Sequence, residues 1–149
     1  MIQLKRTNSE NKDFIHLVKF LDDELAERDK EDTAFYSQFN NIDVLKHTVV
    51  AYKNGGAIGI GAFKKFNEET VEVKRMYVLH KYRREGIAIK ILNELELWAN
   101  KLSFKKCVLE TGKRQFEAVN FYKKNGYNII PNYDPYINIK NSVCFEKDV

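Results

Sequence analysis

The sequence has few of the residues that interrupt or crosslink a folded chain. It contains two prolines, both near its end, and no linker-like stretch rich in proline, glycine or serine. Its two cysteines, Cys107 and Cys144, fall in predicted buried strands, so we expect reduced thiols rather than a disulfide or a thiol nucleophile. Its three histidines lack the spacing of metal ligands, so we expect no metal. Together these features predict a single domain over residues 1–149.

Long apolar runs and concentrated charge are also missing. No apolar run approaches membrane-spanning length, and the N-terminus lacks the apolar segment of a secretory signal, so we expect a cytoplasmic protein without membrane contact. Lysine and arginine are spread along the chain and the net charge is only +4, which does not indicate a nucleic-acid partner. The mild positive excess suits a ligand with several phosphates.

Hydrophobic periodicity in the first half predicts one strand, two helices and a meander. A short strand over Ile2–Arg6 precedes a helix with one apolar face, and the charged stretch Asp22–Asp32 is expected on the solvated side and end of that helix. A second, shorter helix with loops is predicted over Thr33–Leu45. The turn Asn54–Gly56 separates two apolar runs, which is a strong hairpin signal, and the strand Thr70–Leu79 extends the hairpin into three antiparallel strands.

The second half alternates helices and strands. The helix Gly86–Leu102 carries an apolar stripe, and the strand Lys105–Glu110 follows after a short connection, which predicts parallel pairing through a right-handed crossover. Another helix, Gln115–Lys124, ends at the C-cap signal Asn125-Gly126. Two short final strands flank the loop Pro131–Asn141. The predicted fold is α/β with a mixed sheet.

The most informative segment is the passage from the third meander strand into the helix. The turn there reads R-x-x-G-x-A, with Arg83, Gly86 and Ala88 in the defining positions. A strand that leads through such a turn into a helix exposes several backbone N–H groups in one direction, and the helix dipole adds positive charge. The turn is therefore a candidate site for a phosphate or pyrophosphate. A nucleoside triphosphate loop and a dinucleotide fold are disfavoured because their glycine signatures are absent.

This turn resembles the Q/R-x-x-G-x-G/A motif of the GCN5-related N-acetyltransferase (GNAT) superfamily. A second match lies at Leu109–Gly112 and Ala118–Tyr127, which resembles the family's fifth strand and the A-x-x-F-Y-x-x-x-G-Y/F ending of the following helix. The resemblance covers about residues 49–127. It implies a mixed, mostly antiparallel sheet of about seven strands, splayed at its centre and flanked by about four helices. It also implies transfer of an acetyl group from acetyl-coenzyme A to an amine.

The resemblance further implies how the coenzyme is held. The pyrophosphate would bind the backbone amides of the loop, with the guanidinium groups of two arginines adding charge; the loop residues are Arg83, Arg84, Glu85, Gly86, Ile87 and Ala88. The pantetheine arm would pair with main-chain groups of Met76, Tyr77 and Val78, and Asn120 would hydrogen-bond to the same arm. One of the three strand amides would also polarise the thioester carbonyl.

For catalysis, the resemblance implies that Tyr122 protonates the leaving thiolate, with Phe121 facing the core. Glu72 stands eleven residues before Arg83 and is the candidate base, acting directly or through a water. An exposed strand glutamate paired with a lysine is the alternative for Glu72. Glu110 is the second candidate, and a water chain with no dedicated base is the third.

The acceptor is the least determined part of the prediction. Arg75 beside several phenols could hold the carboxylate of an amino acid or a similar small amine, and the candidate residues are Tyr36, Arg75, Tyr133 and Tyr136. We therefore predict a small-molecule amine substrate. A protein lysine or N-terminus and a non-catalytic coenzyme-A sensor are the alternatives, and the sequence leaves a homodimer open.

Overall fold

The computed structural model describes residues 1–28 and 45–149. The chain order is β1 (Ile2–Thr7), α1 (Lys12–Arg28), β2 (His47–Lys53), β3 (Gly56–Lys65), β4 (Thr70–Val78), a 3-10 turn (His80–Tyr82), α2 (Ile87–Lys101), β5 (Lys106–Gly112), α3 (Phe116–Lys124), β6 (Asn128–Ile130) and β7 (Ser142–Asp148). The predicted helix over Thr33–Leu45 lies outside the described residues except for Leu45. The other predicted helices and strands are confirmed, with small shifts at their ends.

In the part of the chain that the structure describes, seven strands form one sheet in the order β1-β2-β3-β4-β5-β7-β6. Strands β1 to β4 pair as an antiparallel meander, β4 and β5 pair in parallel, and β7 pairs antiparallel with both β5 and β6. The mixed, mostly antiparallel sheet is the predicted fold class.

Side chains alternate across the sheet and divide the core in two. Val49 and Ala51 pack with α2 on one face, whereas Val50 packs with α1 on the other. Helix α2 lies directly on the backbone of β3, because a Cβ at Gly61 would come within 2.7 Å of Ile91. Only glycine permits this close approach, and it sets the distance of α2 from the sheet.

The sheet opens at its centre. Strands β4 and β5 pair only at Thr70–Glu72 against Lys106–Val108, while β5 stays paired with β7 as far as Gly112. Beyond Glu72, β4 follows β3 and carries a bulge, because two residues, Arg75 and Met76, lie opposite the single residue Gly61. The main chain of Met76–Val78 is therefore not paired with β5, which matches the predicted splay.

The structure also shows the state of the two cysteines and the character of the helices. Cys107 and Cys144 are both buried free thiols. Within residues 1–28 and 45–149, none of the helices combines the length and the apolar character that crossing a membrane requires.

Candidate active site

The loop between β4 and α2 presents the start of a helix to an open space. Gly86 is the N-cap of α2 with φ of 78° and no side-chain cap, and Arg84 also has a positive φ of 67°. At the start of α2, the Lys90 amide donates to the Gly86 carbonyl at 3.3 Å. The amides before Lys90 have no carbonyl partner within α2, as at every helix start. A Cβ built on Gly86 would meet nothing within 4 Å.

Arg83 is partly buried, and protein groups bind its guanidinium. Its Nε donates to the carbonyl of Val78 at 2.8 Å, and its two Nη atoms donate to the two carboxylate oxygens of Glu24 at 3.0 and 2.7 Å. The guanidinium also lies 5.3 Å from the ring centroid of Tyr77. Glu24 pairs with the charge of Arg83 in this structure, and the role of Arg83 toward a phosphate stays a prediction. Arg84 is exposed and stays available for that role.

A cavity of about 560 Å³, here called the loop cavity, lies between this loop, the end of β4 and α3. Nine of the ten predicted coenzyme residues line it, namely Met76, Tyr77, Val78, Arg83, Arg84, Gly86, Ile87, Ala88 and Asn120. Glu85 does not line it, and its carboxylate pairs with Lys53 at 3.1 Å. The structure therefore brings the two sequence motifs together around one space.

A second cavity of about 430 Å³, here called the splay cavity, lies where β4 and β5 separate. Glu72, Arg75 and Tyr136 line it, as do Lys74 and Glu110. Tyr133 is not among the lining residues, and Tyr36 lies outside the described residues.

The two cavities share a wall. The residues that line both are Leu21, Leu25, Met76, Gln115, Ala118 and Tyr122. Tyr122 is the titratable side chain of this set, and it is 7% exposed. A ligand in either cavity can therefore reach the neighbourhood of the same phenol.

Burial controls the ionisation of Tyr122. It is the buried residue of α3, and desolvation raises the pKa of its phenol above the usual value of 10. The phenol therefore keeps its proton at neutral and mildly alkaline pH. Phe121, which was expected to face the core, is half-buried; it packs against the core and also lines the loop cavity. Tyr122 is the more deeply buried of the two residues.

Glu72 is a buried carboxylate with defined partners, not an exposed strand residue. Its Oε2 accepts a hydrogen bond from the Tyr133 hydroxyl at 2.8 Å, and its Oε1 lies 3.9 Å from Lys74 and 4.0 Å from Lys64. Burial, and then the nearby Glu72 charge, raise the pKa of Tyr133, so this phenol stays the donor. Burial lowers the pKa of Lys74. Tyr133 therefore contacts the candidate base instead of lining the cavity.

Arg75 is also bound within the chain. It lies at the β4 bulge with φ of 60°, is 7% exposed, and donates through Nη1 to Asp22 of α1. Asp22 therefore occupies Nη1 of Arg75 in this structure, and the role of Arg75 toward a substrate carboxylate stays a prediction.

Two acidic residues of α1 were missed by the sequence reasoning. Asp22 and Glu24 were assigned to the solvated side of the helix, yet each pairs with an arginine and lines one of the two cavities. Helical position alone does not distinguish them from solvated carboxylates, since their partners lie 53 and 59 residues away in sequence. Glu110, the second candidate base, accepts from the Ser142 hydroxyl at 2.6 Å.

Comparison with known proteins agrees with this geometry. The acetyltransferase (GNAT) domain family matches residues 45–129, more than half of the chain. Probable N-acetyltransferase 14 of Xenopus tropicalis is 33% identical over 95 residues, which make up 63% of this chain and 46% of that protein. The chain thus aligns with less than half the length of this curated relative.

Solved structures show the same fold over nearly the whole chain. A Klebsiella pneumoniae protein described as an acyl-CoA N-acyltransferase has a TM-score of 0.81 at 25% identity, covering 99% of this chain and 97% of its own. The PaiA N-acetyltransferase of Thermoplasma acidophilum, solved with coenzyme A, has a TM-score of 0.75 at 17% identity, covering 100% and 99%. A GNAT acetyltransferase of Elizabethkingia anophelis with acetyl-coenzyme A bound has a TM-score of 0.72 at 19% identity, covering 99% and 98%.

The fold is that of the solved acyltransferases described above. The chain belongs to the GNAT family of acetyltransferases. Acetyl-coenzyme A is the acetyl donor of this family.

Proposed function

We propose that this protein transfers an acetyl group from acetyl-coenzyme A to the primary amine of a small molecule. The observation that carries the proposal is the shared wall at Tyr122, where the loop cavity and the splay cavity meet. Transfer requires a donor and an acceptor in contact, and two adjoining cavities on either side of one buried phenol suit that requirement.

The residues of the loop cavity fit the coenzyme. The uncapped start of α2 and the open space at Gly86 suit a pyrophosphate, since helix-start amides and the helix dipole both favour anions. The main chain of Met76–Val78 is not paired with β5, and apart from the Val78 carbonyl, which accepts from Arg83, its groups on that edge can hydrogen-bond to an extended ligand as an added strand would. Asn120 lines the same cavity. Arg84 is the exposed guanidinium that can approach a phosphate. Acetyl-coenzyme A, when bound, supplies an activated acetyl thioester.

Tyr122 is the proposed general acid. Its buried phenol keeps its proton, and the residue lines both cavities. An amide of Met76–Val78 would polarise the carbonyl that is attacked. A raised phenol pKa makes Tyr122 a weaker acid, but a thiolate has a higher affinity for protons in the same dry environment.

Glu72 is the proposed base for the acceptor amine, directly or through a water. An alkylammonium has a pKa of about 10, so most of the acceptor arrives protonated at neutral pH. The hydroxyl of Tyr133 orients the Glu72 carboxylate, and Lys74 lies beside it. Arg75 and Tyr136 form part of the splay cavity in which the acceptor would lie.

A thiol-release assay with acetyl-coenzyme A tests the proposal. The acceptors tested are amino acids, polyamines, aminoglycosides and peptides. We expect amine-dependent release of thiol with at least one class of small amine. Turnover with peptides alone would replace the small-molecule acceptor by a protein one, and binding of coenzyme A without any turnover would indicate a sensor. The cytoplasmic location and the homodimer stay predictions from the sequence.

A further inference from the structure

The carboxylate of Glu24, near the end of α1, contacts the proposed coenzyme loop, residues 83–88. Glu24 binds the Arg83 guanidinium with both carboxylate oxygens, and the same guanidinium binds the Val78 carbonyl through Nε. The side chains of Arg83 and Glu24 are 22% and 27% exposed, so the pair is largely shielded from water. Arg83 thus ties three elements together: the end of β4, the end of α1 and the loop that leads to Gly86.

Helix geometry explains why Glu24 has this role and its neighbours do not. Each helical residue turns by about 100°, so Leu21 and Leu25 form one apolar stripe that lines both cavities. Glu24 falls on one flank of the stripe and Asp22 on the other, about 80° away in each direction. Asp22 accordingly pairs with Arg75 at the splay cavity, and Glu24 with Arg83 at the loop cavity.

We infer that Glu24 is a positioning residue of the coenzyme site, acting through Arg83 to hold the loop in its binding conformation. The inference rests on the proposed function. Arg84 has a positive φ of 67°, a backbone conformation that a residue with a side chain visits rarely in a free chain. A bidentate, charge-assisted pair at the start of the loop reduces the conformations that ligand binding must otherwise restrict.

The chain offers a matched control for the loss of such a pair. Glu94 of α2 pairs with Arg6, and their side chains are 24% and 33% exposed, close to the values for Glu24 and Arg83. Glu94 lines neither of the two cavities described. Glu94→Ala therefore removes a helix carboxylate of similar burial from an arginine remote from the proposed site.

The experiment measures the dissociation constant of coenzyme A by calorimetry, with melting curves of every variant. Glu24→Ala should weaken binding on the order of tenfold, a change typical of losing a charged hydrogen-bonded partner. Glu94→Ala should melt lower by a similar amount and bind coenzyme A as the wild type does. Glu24→Gln, which keeps one hydrogen-bond acceptor, should lie between Glu24→Ala and the wild type, and it serves as the test if Glu24→Ala does not fold.

A double-mutant cycle tests whether Glu24 acts through Arg83. In an Arg83→Ala background, Glu24→Ala should have no further effect on the affinity. An unchanged affinity for Glu24→Ala in the wild-type background would overturn the inference. A tighter affinity would also overturn it, because Glu24 would then act as a negative charge that repels the phosphates. If the wild type itself does not bind coenzyme A, the proposed function fails instead.

Discussion

Gly86→Ala gives the sharpest test of the coenzyme loop, because the chain carries a control with nearly the same local geometry. Gly86 has φ of 78° and Gly55, in the turn between β2 and β3, has φ of 81°. At both positions an added Cβ meets no protein atom within 4 Å. Gly55 lines neither the loop cavity nor the splay cavity as described. The two substitutions therefore impose the same backbone strain in two different places.

The cost in stability follows from the backbone alone. A left-handed conformation costs an L-residue about 1–2 kcal/mol, and alanine returns about 0.4–1 kcal/mol by restricting the unfolded chain. The net loss is about 1 kcal/mol at each position, which corresponds to a fall of about 2–4 °C in the melting temperature for a chain of this size. Gly55→Ala and Gly86→Ala should thus melt at similar temperatures.

The cost in binding should differ between them. The methyl group of Gly86→Ala extends into the open space where the loop amides would meet a pyrophosphate, so we expect at least about a tenfold loss of coenzyme A affinity, or about 1.4 kcal/mol. Gly55→Ala should bind as the wild type does. Calorimetry and melting curves on both variants provide the measurements. Equal affinity of the two variants would refute the assignment of this loop to the pyrophosphate, and Gly86→Glu, which adds a repelling carboxylate, should then also bind normally.

Three further predictions concern the proposed catalytic residues Tyr122 and Glu72 and the buried thiol of Cys107. Tyr122→Phe should lower turnover about 100-fold in steady-state assays while coenzyme A still binds; normal turnover would exclude Tyr122 as the acid. Glu72→Gln should flatten the alkaline-rising limb of the pH–rate profile, and an unaltered profile would favour Glu110 or water. Burial raises the pKa of Cys107 to about 12 from an ordinary value of 9.0, so the folded state keeps a proton that the unfolded chain loses. The contribution of this thiol to the free energy of unfolding should therefore be fully present below about pH 9 and be lost as the pH rises toward 12. The urea concentration at the unfolding midpoint should fall less steeply with rising pH for Cys107→Ala than for the wild type. The same pH dependence in both proteins would contradict this account.

The sequence predicted most of the fold because its signals are local. The meander follows from two turns between apolar runs, and the crossover follows from a short strand–helix–strand connection. The coenzyme loop was predicted for the same reason, since Arg83, Gly86 and Ala88 lie within six consecutive residues. Nine of the ten predicted coenzyme residues line one cavity.

The partners of the charged side chains within the protein could not be predicted, because these partners are distant in sequence. The sequence did not show that Arg83 binds Glu24 or that Arg75 binds Asp22. Tyr133 was expected in the acceptor pocket and instead donates to Glu72, 61 residues away. Each of these side chains is long enough to contact either a ligand or another residue of the protein. The hydrophobic periodicity of the sequence does not show which of the two it contacts.

By itself, therefore, the sequence determined the order of the helices and strands, the mixed sheet and the glycine turn at which α2 begins. These follow from backbone preferences and from apolar spacing, which act over a few residues. Only the tertiary structure decided that α1 packs its carboxylates against the arginines of β4 and the coenzyme loop, and that Tyr122 separates two cavities. The physical reason is that a charge is neutralised by whatever approaches within a few ångströms, and that approach depends on how the whole sheet twists and opens.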